Sequence, residues 1–183
     1  VSTDATLPVV TAPANIIVAA TDANGTAASV AAIAAFLNGA TVTDNVDTTL
    51  TITDNAPAVF PLGATVVTFS ATDTASNTGT AQATVTVSDQ SKPVISLTDA
   101  AALSVKQGSA YIDSGATAID NVDGNISPKI EAGSNVDTAA AGLYTVTYNV
   151  SDNPISVVKG VVGTVSGSPV AKTPMVPAPP HLL

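Results

Sequence analysis

The sequence predicts an all-β protein built from two tandem β-sandwiches and a Pro-rich C-terminal tail. Its 183 residues include 26 Thr and 25 Val, and β-branched residues favour pleated, half-buried strands. Short apolar segments are separated by turn residues every 8–12 positions, as in antiparallel sandwiches. The chain is too long for one small sandwich and long enough for two.

An internal repeat supports two modules of the same plan. Residues Gly39–Asp47 recur as Gly115–Asp123 with seven identities in nine positions, at an offset of 76. A second match, Leu62–Asp73 with Ala141–Asp152, has an offset of 79. Two matches in the same order, with three extra residues between them in the second copy, indicate repeated structural units.

Each element follows from local pattern. The predicted strands of the first module are Ile16–Ala20, Ala40–Thr43, Thr49–Thr53, Thr65–Thr72 and Gln82–Val87. Those of the second are Val94–Leu97, Leu103–Val105, Thr117–Ile119, Lys129–Glu131, Tyr144–Val150 and Val157–Val165. The Ala-rich segment Ala27–Leu37 predicts one or two helical turns, and Asn38-Gly39 would end them in the left-handed conformation.

Composition excludes several functions. The chain has no Arg, Trp or Cys, five Lys and a net charge of -9, so it lacks the basic surface that nucleic acid requires. No apolar segment approaches the roughly 20 residues of a membrane-spanning helix. The single histidine, His181, lies in the Pro-rich tail, and Glu131 is the only glutamate. We therefore expect no enzyme activity, no nucleic-acid partner and no transmembrane segment.

Particular residues carry a resemblance to two families. Pro13-Ala14-Asn15-Ile16, Ile33–Leu37 and Ala71-Thr72-Asp73 resemble a bacterial HYR (hyalin repeat) domain, without the cysteine pair of its animal members. Pro93-Val94-Ile95, Tyr111–Ala116, Asp120–Ile126 and Gly142–Tyr148 resemble a DUF5011-type bacterial immunoglobulin-like surface domain. The resemblance implies an HYR-like sandwich over 1–90, an immunoglobulin-like sandwich over 91–167 and a tail over 168–183. It also implies an extracellular or cell-surface location, with other protein modules or cell-surface components as partners.

The repeated Asp-Asn-Val-Asp sequence is the candidate metal site. Calcium takes six to eight oxygen ligands, and each loop offers several within four residues, with one further Asp at the end of a later strand. The candidate calcium ligands are Asp44, Asn45, Asp47 and Asp73, and Asp120, Asn121, Asp123 and Asp152. The alternative is that these residues only cap turns through their own backbone. An EF-hand is excluded, because Val122 and Gly124 occupy positions that need oxygen ligands.

Three functions remain open at this stage. The first is a structural or adhesive module of a surface or secreted protein, stiffened by calcium. The second is a filament subunit whose terminal segment, Val1–Pro8 or Val157–Leu183, adds a strand to a neighbouring copy. The third is a carbohydrate-binding accessory module, which would need an exposed aromatic platform.

Overall fold

The structure, a computed structural model, describes residues 4–152 and the backbone of residues 161–169. These residues form two compact units. The first contains 4–91 and 121–124, and the second contains 92–120, 125–152 and 161–169. Residues 1–3, 153–160 and 170–183 lie outside the described residues. The first part of the predicted strand Val157–Val165 and most of the predicted tail, 168–183, are therefore not described.

The first unit contains eight strands and one helix. Its strands are β1 (Val9–Thr11), β2 (Ile16–Ala19), β3 (Thr26–Ala27), β4 (Thr41–Thr43), β5 (Ile52–Asp54), β6 (Val59–Phe60), β7 (Gly63–Thr72) and β8 (Thr78–Ser88). The main sheet has the order β2-β8-β7-β5, and the pairs β1-β4 and β3-β6 form two small sheets. Strand β2 runs parallel to β8, whereas the other pairs are antiparallel.

The core of this unit follows from strict alternation along the long hairpin. Val67 and Phe69 of β7 and Val85 and Val87 of β8 are buried, and the residues between them are more exposed. The helix α1 (Ala31–Leu37) contributes Phe36, whose ring meets that of Phe69 edge-on at 5.8 Å. Apolar residues at every second strand position thus pack one face of the sheet against the helix.

The helix differs in two ways from its prediction. It begins at Ala31 instead of Ala27 because Thr26 and Ala27 pair with β6. Its end is right-handed, since Asn38 has a φ of -84°. The Asn38 side chain donates to the Ala34 carbonyl at 2.7 Å and satisfies a terminal carbonyl without a left-handed residue.

The second unit repeats much of the topology of the first, although its described strands include no counterpart of the β3-β6 pair. Its strands are β9 (Val94–Leu97), β10 (Ala102–Val105), β11 (Ala116–Asp120), β12 (Gly124–Asn125), β13 (Glu131–Ser134), β14 (Tyr144–Val150) and β15 (Val161–Pro169). The sheet β10-β15-β14-β13 corresponds to β2-β8-β7-β5, and the β9-β11 pair corresponds to β1-β4. Strand β10 is parallel to β15, as β2 is to β8. The all-β prediction of two tandem sandwiches is confirmed.

One predicted strand of the second unit is wrong in position. Residues Ser127–Lys129 form a 3-10 turn, and the strand begins only at Glu131. Pro128 explains the change, because proline has no N–H for a ladder and its fixed φ suits the start of a helical turn.

Among the described side chains, the core of the second unit centres on β14. Val146, Tyr148 and Val150 are buried on one face of that strand, as the alternation predicts. The Tyr148 hydroxyl donates a hydrogen bond to Asp113. Burial, and then this bond to Asp113, raises the pKa of Tyr148 well above its ordinary value.

Candidate cation site

Four aspartates meet at one end of the first unit. Asp44 directly follows β4 and Asp4 lies shortly before β1. These strands are antiparallel, with Val9 opposite Thr43, so the residue before one strand and the residue after the other reach the same end. Each member of the acidic cluster has a carboxylate oxygen within 4.8 Å of the others, and its members are Asp4, Asp44, Asp47 and Asp73.

Asp73 organises the turn between β7 and β8. Its two carboxylate oxygens accept hydrogen bonds from the backbone N–H and the side-chain Nδ2 of Asn77, both at 2.7 Å. Asp73 is only 6% exposed. Burial raises its pKa, but the hydrogen bonds from Asn77 and the turn backbone outweigh burial and leave the pKa below 3.8. Asp73 is therefore a fixed, ionised carboxylate at neutral pH.

Asp44 caps its loop with only one of its oxygens. Its Oδ2 accepts the backbone N–H groups of Val46 at 2.9 Å and Asp47 at 3.0 Å. Its Oδ1 is buried and accepts no hydrogen bond. An ionised carboxylate has acceptor sites on both oxygens, so turn capping alone does not account for this side chain.

Asp47 ties this loop to the β7–β8 turn. Its Oδ2 accepts the backbone N–H and the hydroxyl of Thr74, both at 3.0 Å. Residues 27 positions apart in sequence are thus joined. The two loops are held together by hydrogen bonds that leave the carboxylates facing one another.

Asp4 completes the cluster from the N-terminal segment. Its Oδ1 accepts the backbone N–H of Thr6 at 3.0 Å, and its carbonyl accepts Nδ2 of Asn77 at 3.2 Å. Its Oδ2 is buried and, like Oδ1 of Asp44, accepts no hydrogen bond. The cluster therefore presents two buried oxygens whose acceptor capacity is unused.

The cluster has a large unbalanced charge. Two unit charges 4.8 Å apart repel by about 3.5 kcal/mol at an effective dielectric constant of about 20. The first Lys in the chain is Lys92, so no basic side chain within residues 1–91 offsets this repulsion. Hard carboxylate oxygens in excess of local donors are the ligand set that calcium prefers. The residues present thus fit a bound divalent cation.

The structure brings together three of the four residues predicted for this site. Asp44, Asp47 and Asp73 are in the acidic cluster, whereas the side chain of Asn45 is exposed. Turn capping and cation binding would use different atoms of Asp44. Its Oδ2 caps the turn, and its Oδ1 accepts no hydrogen bond.

In the second unit the repeat brings the equivalent acids together. Asp120 ends β11 and Asp152 follows β14, and both are buried with carboxylate oxygens within 4.8 Å of each other. The other two predicted residues fall in the segment 121–124, which is grouped with the first unit. There Asn121 donates its Nδ2 to the carbonyls of Ala20 and Thr21 at 3.3 Å, and Asp123 is half-buried.

Asp4 was not among the sequence predictions, although a signal for it exists. Asp4 and Pro8-Val9 are repeated as Asp89 and Pro93-Val94, so each module has Asp five residues before its first strand. The local geometry repeats as well, because Asp89 Oδ1 accepts the N–H of Ser91 at 2.9 Å. This short pattern has a different offset from the main repeat, which is why aligning the Asp-Asn-Val-Asp loops does not reveal it.

Comparison with protein families agrees with this architecture. Residues 3–87 match the HYR domain, and residues 95–159 match the Ig-like domain of bacterial surface proteins. The two family models thus match the chain in tandem, and the resemblance predicted from the sequence is confirmed. The whole acidic cluster lies within the residues that match the HYR domain, which is the name used below for the first unit. Both families are typically non-catalytic modules, and together they indicate an extracellular surface module.

No curated protein matches the chain. Among solved structures, the lipoprotein BT2262 from Bacteroides thetaiotaomicron aligns with a TM-score of 0.36 and 17% identity, over 45% of this chain and 41% of that one. The chain thus spans about two fifths of that structure. Among the described residues, no helix has the length and apolar character needed to cross a membrane.

Proposed function

We propose that the chain is a non-catalytic structural and adhesive part of a bacterial surface or secreted protein, in which calcium stabilises the HYR domain. The two domain families support an extracellular or cell-surface location. The single observation that carries the calcium proposal is the acidic cluster with its two unsatisfied buried oxygens.

Each residue has a distinct role toward the cation. Asp73 and Asp47 are held by Asn77 and Thr74, so they are already oriented before a cation arrives. Asp44 and Asp4 offer the oxygens that accept no hydrogen bond. Bound calcium would supply the positive charge that offsets the repulsion among the four carboxylates. Preoriented ligands reduce the ordering that binding requires.

Thermal unfolding of the full chain, first in chelator and then in millimolar calcium, tests this proposal. A ligand that binds only the folded state raises the melting temperature. The double variant Asp44→Asn/Asp47→Asn should lose the calcium response of the HYR domain. The control Asp54→Asn removes an exposed acid of the same unit that lies outside the cluster and should retain the response. Identical melting of the wild type in both conditions would refute calcium binding.

A second candidate function, self-association through strand addition, is favoured by the open edge of β2. Within the described residues β2 pairs only with β8, and its four residues Ile16–Ala19 carry no charge. Ile17 is 71% exposed. Edge strands of soluble proteins are usually protected by charge, proline or a bulge. A second copy could therefore add a terminal strand here.

Light scattering after size-exclusion chromatography over a range of protein concentrations tests self-association. The wild type should form larger species as concentration rises, and Ile17→Lys should remain monomeric. A wild type that is monomeric at the highest concentration would rule out this candidate. The third function, carbohydrate binding, receives no support, because all six aromatic residues of the chain are buried or half-buried.

A further inference from the structure

We infer that the cation acts as a clamp on the N-terminal segment, residues 4–11, so that calcium controls whether this segment lies on the HYR domain. The inference rests on the proposed calcium site. It goes further by assigning Asp4 a regulatory role that the other three ligands do not share.

Three of the four carboxylates need no cation to keep their positions. Asp73 is fixed by Asn77, and Asp47 is joined to the β7–β8 turn through Thr74. Asp44 caps its own loop. These loops belong to the body of the domain, so loss of the cation would leave them close to their present places.

The N-terminal segment is attached more weakly. Its side chains are largely exposed, with Leu7 at 57% and Val9 at 62%. Strand β1 has only three residues and pairs with the equally short β4. Segments with little burial and few hydrogen bonds are the first to open in a folded protein.

Two contacts guide this segment across the start of β8. The carbonyl of Asp4 accepts Nδ2 of Asn77. Pro8 is buried, and its carbonyl approaches Gly79 so closely that a Cβ there would lie 1.8 Å away. Position 79 therefore requires glycine for the segment to lie in this place.

Asp4 makes this placement depend on charge. Its Oδ2 is buried without a hydrogen-bond partner, and its carboxylate lies among three others. Without a cation, repulsion favours release of the one carboxylate that lies on the weakly attached segment. With a cation, the same carboxylate becomes a ligand and holds the segment in place.

Hydrogen–deuterium exchange of the full chain, measured in chelator and with added calcium chloride, tests the clamp. If the segment opens only after calcium leaves, calcium at ten times its Kd should slow exchange of residues 4–11 about tenfold. Residues 63–72 of β7 should change much less. Asp4→Asn should abolish the effect on the segment, and the control Asp54→Asn should retain it.

The outcomes separate this inference from the proposed calcium site. Isothermal titration showing calcium binding to the wild type, with no change in exchange of residues 4–11, would overturn the clamp and leave the site intact. Equal slowing of residues 4–11 and β7 would also overturn it, since calcium would then stabilise the domain as a whole. If titration shows no calcium binding that the Asp44→Asn/Asp47→Asn variant removes, both proposals fail.

Discussion

The substitution Asp44→Asn should have opposite effects on stability with and without calcium. Asp44 places one oxygen on a loop cap and leaves the other buried among carboxylates. Asparagine keeps a carbonyl oxygen for the cap and puts an amide donor where the second oxygen was. In chelator that donor faces acceptors, and one negative charge is gone from the cluster.

The magnitude follows from the spacing of the charges. A pair of carboxylates 4.8 Å apart repels by about 3.5 kcal/mol at a dielectric constant of about 20. Asp44 is partly exposed, and solvent and salt screen much of this. We therefore expect a gain of about 1 kcal/mol in chelator, which raises the melting temperature of a domain of this size by about 4–8 °C.

In calcium, the effect of Asp44→Asn on the free energy of unfolding should reverse its sign. The wild type should gain about 2.7 kcal/mol at a calcium concentration 100 times its Kd. The variant loses a ligand and its charge, so most of this gain disappears. The wild type should then melt above the variant.

Differential scanning calorimetry in both conditions measures the two signs, with Asp54→Asn as the matched exposed control. A variant that is destabilised equally with and without calcium would refute the reasoning. Asp44 would then act only as a turn cap, whose loss costs about 0.5–2 kcal/mol by analogy with helix caps.

Three further predictions concern pH, backbone and core. Because the pKa of Asp73 is lowered on folding, its contribution to stability is present above its unfolded pKa near 3.8 and is lost as pH falls below that value. In Asp73→Asn, the free energy of unfolding measured with urea in chelator should therefore depend less on pH. Gly25→Ala should destabilise the chain by more than about 1 kcal/mol in urea, since φ is +112° and the added Cβ would lie 1.9 Å from the carbonyl oxygen of Phe60; Gly63→Ala, with φ of +97° and open space, should cost less. Phe69→Ala should cost about 3–5 kcal/mol, measured by denaturant unfolding, because its side chain is fully buried; a loss below 1 kcal/mol would contradict the described core.

The repeat predicted much of the fold because it contains long-range information. Equivalent loops at Gly39–Asp47 and Gly115–Asp123 imply equivalent strands before them, and β4 and β11 do have equivalent partners. Local sequence pattern did not predict the very short strands. Strands β1, β3 and β6 have two or three residues each and exist through pairing with distant strands. Propensity within so few residues cannot identify them.

The residues of the candidate site were also predicted only in part. The Asp-Asn-Val-Asp pattern identified Asp44 and Asp47, and strand equivalence added Asp73. The same pattern could not show that the side chain of Asn45 is exposed whereas those of Asp44 and Asp47 are half-buried, because all three residues lie in one loop. Asp4 depends on the antiparallel pairing of β1 with β4, and that pairing was not predicted.

The topology gives a physical reason for acids at these positions. Strand β1 begins where β4 ends, and the β7–β8 turn lies at the same place, so three chain segments converge there. The described side-chain hydrogen bonds join these segments only in pairs, as Thr74 does with Asp47 and Asn77 does with Asp4. A cation with several oxygen ligands can join all three segments at once. The HYR domain has only three aromatic residues in its core, so such a link would add stability where packing is modest. The recurrence of the Asp44 and Asp73 pair as Asp120 and Asp152 is then a consequence of repeated topology as well as repeated sequence.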